Sequence, residues 1–203
     1  MKLYYSTNLN PRVAVTVAKH LKSPVEYIHA APRDPRHEEA FRTINPNTLV
    51  PVLVEEHATL WETDAIACRL SALANSDFFA TGEFLPETMR WISWGTHEFT
   101  QAAGTFYTEN IIRPKYFSRP LDEKALAEAH ERLQRFAPIL DDILAGRAWL
   151  VDNRMTYADF RVATALPFAE EAQLPIHAYK NINKWHDRLN QIEAWREPFK
   201  GLN

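Results

Sequence analysis

The chain has 203 residues, 46% hydrophobic and 24% charged, enough for one large domain or two small ones. Its formal net charge of −3 argues against nucleic acid or an anionic membrane as partner, and no apolar run approaches the roughly 20 residues of a bilayer span. One cysteine, Cys68, excludes an internal disulfide framework and a C-x-x-C redox pair.

Residues 2–6 read as a short buried strand rather than a signal peptide, so the expected compartment is cytoplasmic. Asn8, Asn10 and Pro11 punctuate a turn. Asn10 is placed as a helix N-cap and Pro11 at the first helical position. Val13, Val17, Ala18 and Leu21 recur at helical spacing to about Lys22, and a strand at 25–29 completes a parallel strand–helix–strand unit. Residues 30–44 are polar and proline-broken, with a short helix at 38–43. Strands at 50–54 and 59–61 form a hairpin, and 64–75 is a helix with Ile66, Leu70 and Leu73 on one face.

That order predicts an α/β thioredoxin-like domain over residues 1–76. Residues 77–86, with Gly82 and Pro86, read as a linker. The remainder, 87–203, reads as an all-α domain with helices at 87–112, 122–145, 156–170 and 180–193.

The chemistry concentrates in Asn45-Pro46-Asn47-Thr48-Leu49-Val50-Pro51-Val52-Leu53 and in Glu62-Thr63. Proline has no N–H for a ladder, so Pro51 belongs at a strand start or edge. With a cis bond before Pro51, the Val50 N–H and C=O turn outward and can pair with the backbone of a bound peptide. A carboxylate and a hydroxyl at Glu62 and Thr63 suit the charged amino-acid end of that peptide.

This constellation resembles the glutathione transferase family, whose glutathione site reads roughly N-P-x-G-[KQ]-V-P-x-L and then E-S-x-A-I. Asn45 to Leu53 and Glu62-Thr63-Asp64-Ala65-Ile66 match it. The resemblance implies glutathione as co-substrate, a small hydrophobic electrophile, no metal, and a homodimer. It places Arg36 and His37 on the glycyl carboxylate, Val50 and Pro51 on the cysteinyl backbone, and Glu62 and Thr63 on the γ-glutamyl group. Leu49 stands where the family has Lys or Gln, which removes one side-chain donor. Thr replaces Ser at Thr63 without losing the hydroxyl.

The family activates the thiol from Tyr, Ser or Cys near the end of the first strand. Different alignments select Ser6 or Thr7, Asn10, or Tyr5, and backbone N–H groups are a further alternative. An N-x-R pattern around Asn10 is also similar to the transferase-like domain of the elongation-factor gamma subunit. Two rival functions follow: a glutathione-dependent disulfide or peroxide reductase, and a non-catalytic interaction module.

In the helical half, Thr156-Tyr157-Ala158-Asp159 is a capping box, with Met155 and Phe160 able to add a hydrophobic staple. Its role is structural. The aromatics Trp91, Trp94, Phe99, Phe106, Tyr107, Tyr116 and Phe117 form a stripe that is partly core. By the resemblance, His97, Phe106, Tyr107, Asn110 and Ile111 wall the electrophile site. Cys68, among apolar neighbours on a helix, reads as a buried thiol, and the eight histidines show no metal-ligand spacing.

Overall fold

The computed structural model describes residues 1–31 and 38–202. Arg36 and His37 lie outside the described residues. The chain forms two compact units. One is Met1–Phe79 together with the segment from Ile192 onward, and the other is Ala80–Gln191.

The first unit runs β1 (Lys2–Tyr5), α1 (Leu9–His20), β2 (Glu26–His29), α2 (Glu38–Arg42), β3 (Val52–Val54), β4 (Thr59–Trp61) and α3 (Thr63–Leu73). The sheet order is β2-β1-β3-β4. β1 and β2 are parallel, as a helical crossover requires, and β1–β3 and β3–β4 are antiparallel. This is the thioredoxin-like arrangement. α1 packs on β1, on α3 and on α10 (Glu193–Arg196), a helix of the returning C-terminal segment. Contact on several sides explains why α1 buries every residue from Pro11 to Ala18 rather than a single stripe.

Three local expectations are corrected here. The N-cap of α1 is Asn8, with extended backbone (φ −70°, ψ 168°), and its carbonyl receives the Arg12 N–H at 2.9 Å. Asn10 therefore sits inside the first turn, and Pro11 still falls where no intrahelical N–H bond is needed. Cys68 is exposed. Ile66, Ala67 and Leu70 share the inward face of α3, and Cys68 lies roughly 200° around the helix from Ile66. Leu73, the last residue of α3, is 46% exposed. Periodicity identifies a face but not how far the partner extends along it.

The second unit begins with a continuous helical run over 85–116. α4 (Leu85–Trp94) passes through a π turn (Gly95–Phe99) into α5 (Thr100–Tyr107), then through a second π turn (Thr108–Ile112) into α6 (Arg113–Tyr116). Gly95 lies against Val162, where an added Cβ would meet Val162 Cγ2 at 2.8 Å. α7 (Glu123–Ala145), α8 (Tyr157–Val162) and α9 (Lys180–Asn190) complete the unit.

The helix expected over 156–170 stops at Val162. Pro167 offers no N–H to Ala163, whose carbonyl instead receives Leu166 N–H at 2.8 Å and opens a short 3₁₀ turn. Tyr116 and Phe117, at the end of the aromatic stripe, are exposed at 61% and 56%; Trp91 and Phe99 are core.

Asp159 organises this unit. The capping box with Thr156 is formed. The fully buried carboxylate accepts from Leu150 N–H (3.0 Å), Thr156 N–H (2.9 Å), Thr156 Oγ1 (3.3 Å) and the Trp185 indole N–H (3.0 Å). Burial pushes its pKa up to about 6 against the opposing pull of those hydrogen bonds. Among the described residues, no helix is long and apolar enough to cross a membrane.

Candidate functional site

A cleft of about 300 Å³ opens at one end of the thioredoxin-like sheet, lined by Asn10, Asn45, Asn47, Leu49, Val50, Pro51, Glu62 and Thr63. Its first wall is built by Asn45, which is buried. The Asn45 Oδ1 accepts from Asn47 N–H at 3.0 Å and its Nδ2 donates to the Leu49 carbonyl at 2.7 Å, which curls residues 45–49 into a compact turn. Thr48 completes the turn at φ +54°, a left-handed conformation that a β-branched residue rarely adopts. The Val50–Pro51 bond is cis. The β3 ladder starts at Val52, opposite Tyr4 and Trp61, so Val50 stands beyond the paired residues.

The facing wall is the start of α3. Glu62 caps this helix with φ +73° and ψ 127°, off the ordinary left-handed basin, while its carbonyl accepts Ile66 N–H at 3.0 Å. Its side chain is exposed on the cleft. Thr63 is buried and donates its hydroxyl to the Asn10 carbonyl at 3.2 Å. The first turns of α1 and α3 thus meet at the cleft, and each offers N–H groups with no intrahelical acceptor and a partial positive charge. Among the described lining residues, Glu62 is the one that carries a full charge.

The four candidate activators separate by position. Tyr5 is core: its ring stacks on Phe199 at 5.8 Å, and burial raises its phenol above the ordinary value. Ser6 is buried and accepts the Asn8 N–H at 3.5 Å. Thr7 is exposed and is not one of the lining residues. Asn10 is exposed and lines the cleft.

The five residues expected on the electrophile wall are spread through the helical unit. His97 is exposed, with Nδ1 2.9 Å from the Ser93 carbonyl. It precedes Tyr107 by about 15 Å of helix. Phe106 and Tyr107 are buried. Tyr107 packs edge-on to Phe168 at 4.8 Å, and its phenol is pushed up to about 12, chiefly by burial. Asn110 donates to the Ala172 carbonyl at 2.7 Å, and Ile111 is half-buried. Tyr107 and Asn110 therefore face the 166–172 turn together, while His97 stands apart.

The sequence motif gives Asn45 and Asn47 no site role, yet both line the cleft and build its turn. Asparagine two residues before another polar backbone group is the local signal of such a turn. Among the described residues, no group of three or more His, Cys, Asp or Glu side chains is placed to hold a metal ion.

A thioredoxin-like unit with a cis-proline cleft, followed in the chain by a helical unit, has direct counterparts among known proteins. Residues 12–73 match the family described as glutathione S-transferase, N-terminal domain, and residues 100–193 match glutathione S-transferase, C-terminal domain. The chain belongs to the glutathione S-transferase family. It is 25% identical over 195 residues to the probable glutathione S-transferase GSTF2 of Oryza sativa, covering 91% of this chain and 89% of that relative. It is 28% identical over 203 residues to elongation factor 1-gamma of Schizosaccharomyces pombe, covering 96% of this chain and 48% of that one, so it spans about half of that relative. Its fold superposes on glutathione S-transferase I from maize, solved with an atrazine glutathione conjugate, with a TM-score of 0.87. That match is 19% identical and covers 100% of this chain and 99% of the other.

Proposed function

We propose that the chain is a glutathione transferase that binds glutathione in the cleft, favours its thiolate and directs it at a small apolar electrophile. The observation that carries this reading is the convergence of Asn10, Val50, Glu62 and Thr63 on one cleft. The Val50 backbone pairs with the cysteinyl residue in strand fashion. Glu62 accepts from the γ-glutamyl ammonium, and the Thr63 oxygen keeps lone pairs for the same group while its proton goes to Asn10. Arg36 and His37 are proposed for the glycyl carboxylate. Asn10 supplies an amide N–H to the sulfur at the positive end of α1.

A free thiol has a pKa near 8.5, and donors at a helix N-terminus lower it. A drop of about two units corresponds to roughly 2.7 kcal/mol favouring the thiolate. The electrophile is assigned to the helical unit, with Phe106, Tyr107, Asn110, Ile111 and His97 as candidate contacts. The maize enzyme's glutathione conjugate of atrazine supports an apolar, electron-poor ring as the substrate class. A homodimer, a cytoplasmic location and a role in detoxification are proposed with the family. A disulfide or peroxide reductase on this fold would rely on glutathione's own sulfur, since Cys68 does not line the cleft.

Two observations favour a second reading, a non-catalytic interaction module. The match to elongation factor 1-gamma covers 96% of the chain, and Leu49 offers the cleft no side-chain donor. Calorimetric titration with glutathione from about pH 6 to about pH 9, with proton release followed in parallel, separates the two. Binding with release of a proton near neutral pH is expected, reduced in Asn10→Ala and retained in Ser6→Ala and Thr7→Ala. A folded protein that gives no heat at any pH would sink the transferase reading and promote the interaction module.

A further inference from the structure

The C-terminal segment leaves the helical unit and packs back on the first unit. Its aromatic side chains meet the β1–α1 connection at both ends. Where β1 ends, Phe199 stacks on Tyr5 with rings 5.8 Å apart and 15° from parallel. Where α1 begins, the fully buried Trp195 lies 4.9 Å beneath the Arg12 guanidinium, and Arg12 Nη2 donates to the Trp195 carbonyl. Between these two contacts lie residues 6–11, among them Ser6, Thr7 and Asn10, the last of which lines the cleft. A third tie, from Lys19 Nζ to the Lys200 carbonyl at 2.5 Å, holds the segment to the far end of α1.

Arg12 and Asn10 are two residues apart on a helix, about 200° around its axis, so one faces the segment while the other faces the cleft. Their turn is stiff. Asn8 carbonyl receives Arg12 N–H, Arg12 carbonyl receives the Thr16 hydroxyl, and Asn10 carbonyl receives the Thr63 hydroxyl. A rotation of the turn at Arg12 therefore carries Asn10 with it. Arg12 is only 4% exposed, and burial lowers its pKa to about 10, so its partners on the segment hold a costly buried cation in one place.

We infer that residues 192–202 are a positioning strap for the thiol site: Phe199 and Trp195 set the β1–α1 connection and, through Arg12, the placement of Asn10. This rests on the reading of the cleft as a glutathione site. Neither aromatic lines the cleft, so Phe199 acts through the end of β1 and Trp195 through the start of α1, and not on the ligand.

The test uses Phe199→Ala with Phe199→Tyr as the rescue, because Phe199 is half-buried and near the chain end. Two quantities are read: the midpoint pH of proton release on glutathione binding, and the melting temperature. The strap predicts a midpoint raised by about half a pH unit or more in Phe199→Ala, and restored in Phe199→Tyr. An unchanged midpoint with a lowered melting temperature would reduce the strap to core filling and overturn the inference.

Absence of proton release in the wild-type protein would be a failure of the glutathione reading, and amide exchange then decides about the strap. Exchange accelerated about tenfold or more at residues 7–12 of Phe199→Ala, with β3 and α3 unaffected, supports it; uniform acceleration overturns it.

Discussion

The Thr63 hydroxyl donates to the Asn10 carbonyl at 3.2 Å, fastening the first turn of α3 to the first turn of α1. Two helix N-termini are thereby held side by side at the cleft, and the residue that precedes Thr63 takes a strained φ of +73°. Such strain persists where the surroundings over-determine it, and here the Thr63 bond and the Ile66 N–H on the Glu62 carbonyl do so.

Thr63→Val keeps the shape and removes the donor. The expected result is glutathione binding weakened by about 1–2 kcal/mol, roughly five- to thirtyfold, with Thr63→Ser near wild type. Calorimetry beside a melting curve checks it; equal affinity in the Val variant would mean the hydroxyl does not hold the site.

Asn10→Ala tests the sulfur end. Loss of one preorganised donor is expected to raise the thiol pKa of bound glutathione by about one unit, a tenfold fall in the thiolate-to-thiol ratio and roughly a threefold fall in thiolate near neutral pH. Thiolate absorbance against pH reads this directly, and it should move more than the overall affinity does.

Leu49→Lys adds a cation to a cleft whose described lining carries a full charge only at Glu62. Glutathione has two carboxylates, so affinity is expected to rise by about 0.5–1 kcal/mol at low salt and to fall back as salt is added. A salt series of titrations, wild type against variant, measures the difference.

Asp159→Asn tests the buried cap. Four donors converge on the carboxylate, and an amide nitrogen would turn a donor toward one pair of them. A loss of about 2 kcal/mol or more in unfolding free energy near neutral pH is expected. The pH dependence has a definite sign. The folded pKa of about 6 lies above the ordinary 3.8, so the native state binds more protons in that window. The Asp159 contribution to stability therefore falls as pH rises from 3.8 to about 6 and levels off above it. Denaturant midpoints across that range should lose this component in the Asn variant.

Gly95→Ala sets helix propensity against packing. Alanine is favoured over glycine in a helix by about 1 kcal/mol, but the new Cβ would stand 2.8 Å from the buried, branched Val162. Net destabilisation of about 1–2 kcal/mol is expected, relieved in the Gly95→Ala, Val162→Ala pair. A double-mutant cycle by chemical denaturation would expose additive effects and so refute the clash.

Local chemistry makes much of this protein legible in its sequence. Pro51 cannot serve a ladder, Asn45 favours a turn, and Thr156 with Asp159 closes a capping box; each depends on residues a few positions apart. The same holds for the strand–helix–strand start and the hairpin, whose periods of two and 3.6 are written along the chain.

What the sequence left open depended on which surface arrives from elsewhere. Asn8 and Asn10 are both good caps, and only the docking of α1 against the sheet, α3 and α10 turned Asn10 to the cleft and Asn8 to the cap. Cys68 and Leu73 had apolar neighbours in sequence, but burial required a partner that does not reach them. The return of Trp195 and Phe199 to Tyr5 and Arg12 joins positions more than 180 residues apart, as the Arg12–Trp195 separation of 183 shows. No local period encodes such a pairing; it exists because burying those aromatic faces, with the hydrogen bond from Arg12 to the Trp195 carbonyl, offsets the desolvation of one guanidinium.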